Sequence, residues 1–433
     1  MSELSPARHK LLSDLQSDAF NYFVNEVNPA NGLVADCTKQ GWPSSIAAVG
    51  MALSAYPVGV EHNLISRAEA IARTLKKLRF FAKSEQSKSP TATGYQGFYY
   101  HFLDMQTGRR AWQCELSTID STFLFAGMLA AAAYFDQDSA DENEIRTLAD
   151  QLYRRANWRW AINGGTTLSH GWKPETGFLS DRWDGYDESM LAYVLGLGSP
   201  TFPLPKESYE AHRTTCEWRK VYDYEYLFSG PLFTHQFSHI WIDFREIQDK
   251  FIRDHGLDYF ENSRRATLVQ QEYARRNPNG FEGYGEFCWG LTACEGPGPQ
   301  ELTVGGVKRV FFDYIARGVP HGPDDGTLAP WAVVASLPFA PEIVLPTLEH
   351  FNEIEIGLDH PYGLEATFNP SFPAEENRRR GWLSPWHFGI NQGPIVLMIE
   401  NHRSELLWSL MKKSPYILEG LRQAGFAGGW LEA

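Results

Sequence analysis

The chain holds 433 residues, 43% apolar, 21% charged and 14% aromatic, and its 39 Lys and Arg stand against 53 Asp and Glu for a formal charge of −14. The apolar share suffices for a full core, and 37 glycines with 25 prolines are ordinary usage, which excludes collagen-like and low-complexity chains. An acidic balance lacks the positive field that nucleic acid or an anionic membrane surface needs, so neither is expected as a partner, and a neutral ligand suits the chain better.

Helices dominate in chain order. Ser5-Pro6 reads as an N-cap followed by Pro at N1, and the first predicted helix then carries Leu11, Leu12, Leu15, Ala19, Tyr22 and Phe23 on one face. Helices are predicted over 45–56 and 64–81, parted by a break at Pro57 and Gly59. The next spans 118–135, and another starts near Asp141, where Asp141 and Glu144 have capping-box spacing. Later candidates cover 188–197, 237–254, 257–276, 341–354, 392–410 and 415–423. The aromatic stretch 97–112, with a turn at Thr107-Gly108, predicts a β-hairpin laid over the helices. Long loops rich in Gly, Pro, Trp and Asp fill 89–114, 164–187, 199–233, 277–302 and 359–391, longer than idle connectors need to be. No linker or composition shift divides the chain. Helical hairpins repeating about six times predict an all-α (α/α)6 toroid with long loops, in one domain over residues 1–433.

The five cysteines, Cys37, Cys114, Cys216, Cys288 and Cys294, form no CxxC pair, so free thiols are expected. The first twenty residues lack the apolar core of a signal peptide, and no apolar run is long enough to span a bilayer. A soluble cytoplasmic chain is expected, or a periplasmic one had a signal peptide been removed. Nucleotide, calcium and nucleophile-elbow motifs are absent, and no cofactor is expected.

The loops bring aromatic and acidic residues together, above all in Ser180-Asp181-Arg182-Trp183-Asp184-Gly185-Tyr186-Asp187-Glu188. Flat aromatic faces stack on sugar rings, and carboxylates hold hydroxyls and move protons, so the mixture fits carbohydrate chemistry. Glu286 lies between aromatics in GYGEFCWGLTACEG, where burial would suit it to proton transfer or attack. His235, His239 and Asp243 have the i, i+4, i+8 spacing of one helix face. That pattern fits sugar hydroxyls better than zinc, because no HExxH accompanies it. Asp324-Asp325-Gly326 reads as a turn and Arg378-Arg379-Arg380 as a solvated loop.

Six segments resemble, in order, the motifs of the bacterial glucoamylase-like family: SDRWDGYDESMLAYVLGLGSPTFPLP, FTHQFSHIWIDFR, YFENSRRAT, GYGEFCWGLTACEGP, PDDGTLAPWAVVASLPFAPE and INQGPIVLMIENHRSELLW. The resemblance spans roughly residues 20 to 430. Relatives in that family include glycoside hydrolase family 144 endo-β-1,2-glucanases and the transglycosylating domain of cyclic β-1,2-glucan synthases. The resemblance implies an (α/α)6 barrel with the site at its open end, and a general acid at the Glu of the W-D-G-Y-x-E motif, which here is Glu188. Two departures bear on its partner. Where family 144 has an acidic pair in G-D-L-V-E-T, this chain places Ser117 at the Asp position and Asp120 at the Glu position. Where that family has Asp in G-F-x-D-A-F-N, this chain has Ala366. The usual inverting base is therefore replaced, with Asp120 or Glu365 activating water, or Glu286 acting opposite Glu188 as in a retaining transglycosylase.

The expected protein is thus a glycoside hydrolase for β-glucan, foremost an endo-β-1,2-glucanase, and the alternatives are a retaining transglycosylase or a glucan-binding protein that has lost the base. The expected catalytic groups are Glu188, Glu286 and Asp120. Glucan contacts are expected from Glu115, Trp183, Tyr186, Asp187, Glu365 and Arg264, from His235, Gln236 and Trp289 of the family motifs, and from His239, Tyr284, Trp386 and Gln392.

Overall fold

The computed structural model describes residues 4–357, 360–373 and 380–432. Arg378 and Arg379 of the basic run, and Asp359 at the start of the predicted loop 359–391, lie outside the described residues. The principal helices are α1 (Pro6–Asn25), α2 (Ile46–Glu61), α3 (Arg67–Lys83), α4 (Thr118–Tyr134), α5 (Ala140–Arg154), α6 (Met190–Leu197), α7 (Phe237–Trp241), α8 (Tyr259–Arg276), α9 (Pro330–Ala335), α10 (Pro341–Glu353), α11 (Gly389–Arg403) and α12 (Pro415–Gln423).

Burial sorts them into two layers. Every residue of α6, α7 and α9 is buried, and α2, α4 and α11 are buried along nearly their whole length. The sequences of α2, α4, α6 and α9 are predominantly apolar on all sides, as an inner ring requires, whereas α7 and α11 also bury polar groups such as His239 and Gln392. Around them α1, α3, α5, α8 and α10 bury one stripe and present a polar face outward. The inner helices meet in ring order: α2 packs on α4 and on α11, α4 on α6, α6 on α7, and α9 on α11. Gln236, just ahead of α7, donates to the Ala332 carbonyl of α9 at 2.7 Å and closes the remaining gap. The outer helix α1 lies on α11, α3 on α2, α5 on α4 and α10 on α9, while α12 covers α6. The result is the expected mostly helical (α/α)6 arrangement.

Two glycines let α2 and α4 touch backbone to backbone. A Cβ on Gly50 would stand 2.3 Å from the Phe123 carbonyl oxygen, and one on Gly127 would stand 2.1 Å from the Gly50 carbonyl oxygen. Neither position accepts a side chain without moving a helix axis.

Local expectations fail where tertiary packing overrides propensity. Helix α2 runs through Pro57 to Glu61 rather than breaking there. Gly59 serves close packing instead, since a Cβ there would meet the Phe20 ring of α1 at 2.3 Å. Burial of the surrounding turn offsets the roughly 3 kcal/mol that an interior proline costs. The cap of α5 is Ser139, which accepts from the Glu142 amide, so the box predicted at Asp141 and Glu144 sits two residues earlier. The helix predicted over 237–254 ends at Trp241, because Ile242 turns extended and Asp243 leaves to pair with Arg245 and Lys412. His235, His239 and Asp243 therefore do not share one helix face. The predicted helix over 392–410 is α11 and a short helix Leu406–Met411, separated where Glu405 takes φ 60°. Helix α6 starts at Met190, which leaves Glu188 in the preceding turn.

The stretch 97–112 folds back at Thr107-Gly108 as expected, with Leu103 bridged to Arg110, and it also joins a larger sheet. Its strand β2 (Phe98–Tyr100) pairs back to β1 (Gly94–Tyr95) and forward to β3 (Leu116–Ser117), followed by β4 (Gly171–Lys173) and β5 (Gly177–Phe178). This five-stranded sheet joins the loops ahead of α4 and α6, the two segments that carry Asp120 and Glu188.

Candidate active site

A cavity of about 770 Å³ opens among the loops ahead of the inner helices. Five carboxyl groups line it, Asp36, Asp120, Glu188, Glu295 and Asp313, together with His101 and the aromatic side chains of Trp42, Trp112, Tyr314, Trp331, Trp382 and Trp386. The size and the mixture of apolar walls with few polar groups are those of a ligand site.

Each acidic group is placed by the start of an inner helix or by a loop beside it. Ser117 caps α4, accepting from the Asp120 amide at 3.1 Å while its hydroxyl donates to Asp120 Oδ2 at 2.5 Å. Asp120 thus faces the cavity from the first turn of α4. Glu188 sits in the turn before α6; its carbonyl accepts from Ser238 Oγ of α7 at 2.9 Å, and the same hydroxyl accepts from the Leu191 amide. Asp187 accepts from the Ser189 amide and hydroxyl and so tightens that turn. Glu295 accepts from Ser384 Oγ at 2.6 Å and Thr367 Oγ1 at 3.2 Å. Asp36 accepts from Trp42 Nε1 at 3.1 Å. Its neighbour Lys39 lies 4.4 Å over the Trp42 ring, and Trp112 meets Trp42 edge to face at 4.6 Å.

The electrostatics divide the acids. Burial, with the charges of Asp187 and Asp120 behind it, pushes the Glu188 carboxyl well above its ordinary range. Burial likewise lifts Asp187 to about 7 against the two Ser189 bonds, and Asp36 to about 6 against His101 and Trp42. Burial also raises Glu295, opposed by Ser384 and Thr367. His101 runs the other way. Burial disfavours its charge, but Asp120, the Glu115 hydrogen bond and Asp36 outweigh burial and raise it to about 9. An imidazolium at neutral pH therefore stands 2.8 Å from Glu115 and 3.6 Å from Asp120.

Of the residues predicted from sequence, Glu188, Asp120 and Trp386 line the cavity, and Glu115 and Asp187 support it from behind. Glu286 does not: it is exposed at the surface, where its carbonyl accepts from Gln271. The aromatics flanking Glu286 suggest burial, but Phe287 is itself 42% exposed, while Tyr284 and Trp289 turn inward to Asp324 and Thr347. Most of the other predicted contacts lie off the cavity in the supporting core. Trp183 donates to Thr118 and stacks on His170, and Tyr186 packs between His235 and Tyr259. His235 bonds the Ser229 carbonyl, Gln236 bonds α9, and His239 bonds Ser263. Arg264 pairs with Glu342, and Tyr284 donates to Asp324. Glu365 and Gln392 lie beside His360 and His387, outside the cavity lining. Sequence reasoning misses Asp36, His101 and Glu295. Glu295 is within its reach, since it lies in the GYGEFCWGLTACEGP motif ahead of a Gly-Pro-Gly-Pro rim, but the aromatics beside Glu286 make that residue the stronger candidate on composition.

The same geometry sits in a chain with clear likeness to known proteins. Residues 180–415 match the family described as "Putative glucoamylase". The chain belongs to this glucoamylase-like family. A member from Bacteroides uniformis, with the same description and a crystal structure, is 30% identical, with full coverage of both chains and a TM-score of 0.86. The endo-β-1,2-glucanase of Chitinophaga pinensis, solved with sophorotriose and glucose, is 25% identical, with 99% of this chain and all of that one aligned and a TM-score of 0.85. The exo β-1,2-glucooligosaccharide sophorohydrolase (non-reducing end) of Parabacteroides distasonis is 28% identical over 96% of this chain. The present chain spans 57% of that enzyme's length.

Proposed function

We propose that this glucoamylase-like protein is a glycoside hydrolase that cleaves β-1,2-glucan within the chain, by inversion, with Glu188 as general acid and Asp120 as the base that activates water. The supporting observation is a carboxyl that burial and neighbouring charge push well above its ordinary range, Glu188, lining one aromatic-walled cavity with Asp120, Asp36 and Glu295. A general acid needs a raised pKa, and burial with the Asp187 and Asp120 charges raises that of Glu188. Asp120 lines the same cavity as Glu188, accepts from the Ser117 hydroxyl at 2.5 Å and stands 3.6 Å from His101 Nε2. Trp42, Trp112 and Trp386 offer stacking faces for glucose rings. The buried Trp331 has an indole N–H without a protein partner among the described residues, suited to a sugar hydroxyl. Glu286 is exposed away from the cavity, so a retaining pair of Glu188 with Glu286 has no support from the geometry. The end-to-end alignment with the Chitinophaga endo-enzyme favours cleavage within the glucan.

The test is incubation with linear β-1,2-glucan, maltooligosaccharides and β-1,3-glucan, with products followed by chromatography and the first-formed anomer by proton NMR. Oligosaccharides of mixed length from β-1,2-glucan alone, released first as the α-anomer, are the expected outcome. Disaccharide as sole product would overturn internal cleavage, and a β-anomer first would overturn inversion. Binding without turnover on every glucan would make the protein a glucan-binding member of the family.

A further inference from the structure

The geometry points to a divalent-metal site of the zinc class at His360, Glu365 and His387, outside the cavity lining. One nitrogen from each imidazole and one carboxylate oxygen lie within 4.8 Å of one another. His360 meets the other two through different nitrogens, Nε2 at 3.7 Å from Glu365 Oε2 and Nδ1 against His387 Nε2, so an ion takes one of them and the His360 ring must turn toward the set. Zinc held tetrahedrally at about 2.0–2.1 Å places its ligands about 3.4 Å apart, so small side-chain rotations close the set. Two imidazoles and one carboxylate are the donors this metal takes when a fourth position is left to water.

A second observation comes from the shell around these groups. His387 is fully buried, and its Nδ1 is 3.0 Å from Gln392 Nε2, on the rigid helix α11. Gln392 is 1% exposed, and its Oε1 has no hydrogen-bond partner among the described residues. Turning the amide about its last bond brings this orphan carbonyl onto His387 Nδ1–H and frees His387 Nε2 for a metal. That is the outer-shell acceptor that metal-binding histidines use.

The place in the fold gives the site a structural role. Residues 368–369 pair with 382–383, and Thr367 and Ser384, from the same two segments, both hold Glu295. An ion bound by Glu365 and His387 ties these two segments together a second time, behind the wall that carries Glu295.

Metal content is measured on the purified protein by mass spectrometry, followed by thermal unfolding after chelation and after readdition of ZnCl₂. About one equivalent of metal per chain is expected, with a rise of several degrees on readdition that saturates at one equivalent. Cobalt should give the visible absorption of a tetrahedral site. Glu365→Gln, nearly isosteric, and the separate His360→Gln should each lose the bound metal and the zinc-dependent shift while still unfolding cooperatively. Should the wild type neither carry nor bind zinc or cobalt, or should both variants bind as the wild type does, the site is a hydrogen-bonded chain and the inference fails. None of these readouts uses glucan hydrolysis, so they stand apart from the proposed reaction.

Discussion

Replacing His101 by Gln tests whether charge, rather than packing, holds the acidic face of the cavity. His101 bonds Glu115 at 2.8 Å, stands 3.6 Å from Asp120 and feels Asp36, and together these raise it from 6.5 to about 9 against the opposing effect of burial. Each unit corresponds to about 1.36 kcal/mol, so protonated His101 contributes about 3 kcal/mol to folding. Because the folded-state value lies above the unfolded one, this contribution is complete below about pH 6.5 and is lost as pH rises through 9. The raised carboxyls Asp36, at about 6, and Asp187, at about 7, disfavour the fold as they ionise, and that cost is complete before about pH 8. The informative window is therefore about pH 7 to 10. Urea unfolding at half-unit steps should show the wild type about 3 kcal/mol more stable than His101→Gln at about pH 7, with the two converging above about pH 9. A gap that stays constant across the window would refute the reasoning and assign His101 to packing against Phe102, on which it stacks at 3.9 Å.

Four further outcomes are expected, from three variants. Glu188→Gln should lower kcat on β-1,2-glucan by about 10²–10⁴. The same variant should match or exceed the wild type in thermal stability at about pH 8, because it removes a buried acid disfavoured by Asp187 and Asp120; loss of stability there would contradict the burial argument. Trp112, 55% exposed at the cavity and edge-on to Trp42, should on Trp112→Ala raise KM about 3- to 10-fold in steady-state assays and leave the unfolding temperature within a degree or two. Asp325→Asn should destabilise by about 3–5 kcal/mol in urea titrations, because it strands the fully buried Arg317, whose guanidinium also holds the Cys294, Phe312 and Asp313 carbonyls beside the cavity.

The helical architecture was legible because its signals are local. Ser5-Pro6 opens α1, α2 and α4 are apolar on all sides, and α3 and α8 carry one apolar stripe, so an inner and an outer layer arise from periodicity alone. Local signals misled where a neighbour decided the outcome. Pro57 stays inside α2 because α1 packs against that turn, and the segment after Trp241 abandons its helical pattern because Arg245 and Lys412 claim Asp243. The family motifs marked Glu188, which lines the cavity, but they also gathered His235, Gln236 and Trp289, whose side chains brace the helices beneath it. A motif records every constraint on a segment, packing included, and does not separate the two.

What the sequence determined by itself was the pair of helical layers, the acidic and aromatic loops above them, and the free thiols, which remain unpaired at Cys37, Cys114, Cys216, Cys288 and Cys294. What only the tertiary structure decided was which carboxyls meet. Asp36, Asp120, Glu188 and Glu295 come from four segments more than fifty residues apart, and no spacing rule links them, whereas Glu286, nine residues from Glu295, ends on the surface. The charges obey the same logic: the Glu188 carboxyl is pushed up and His101 gains a proton because of burial and of neighbours distant in the chain, and both arise only once the ring of helices closes.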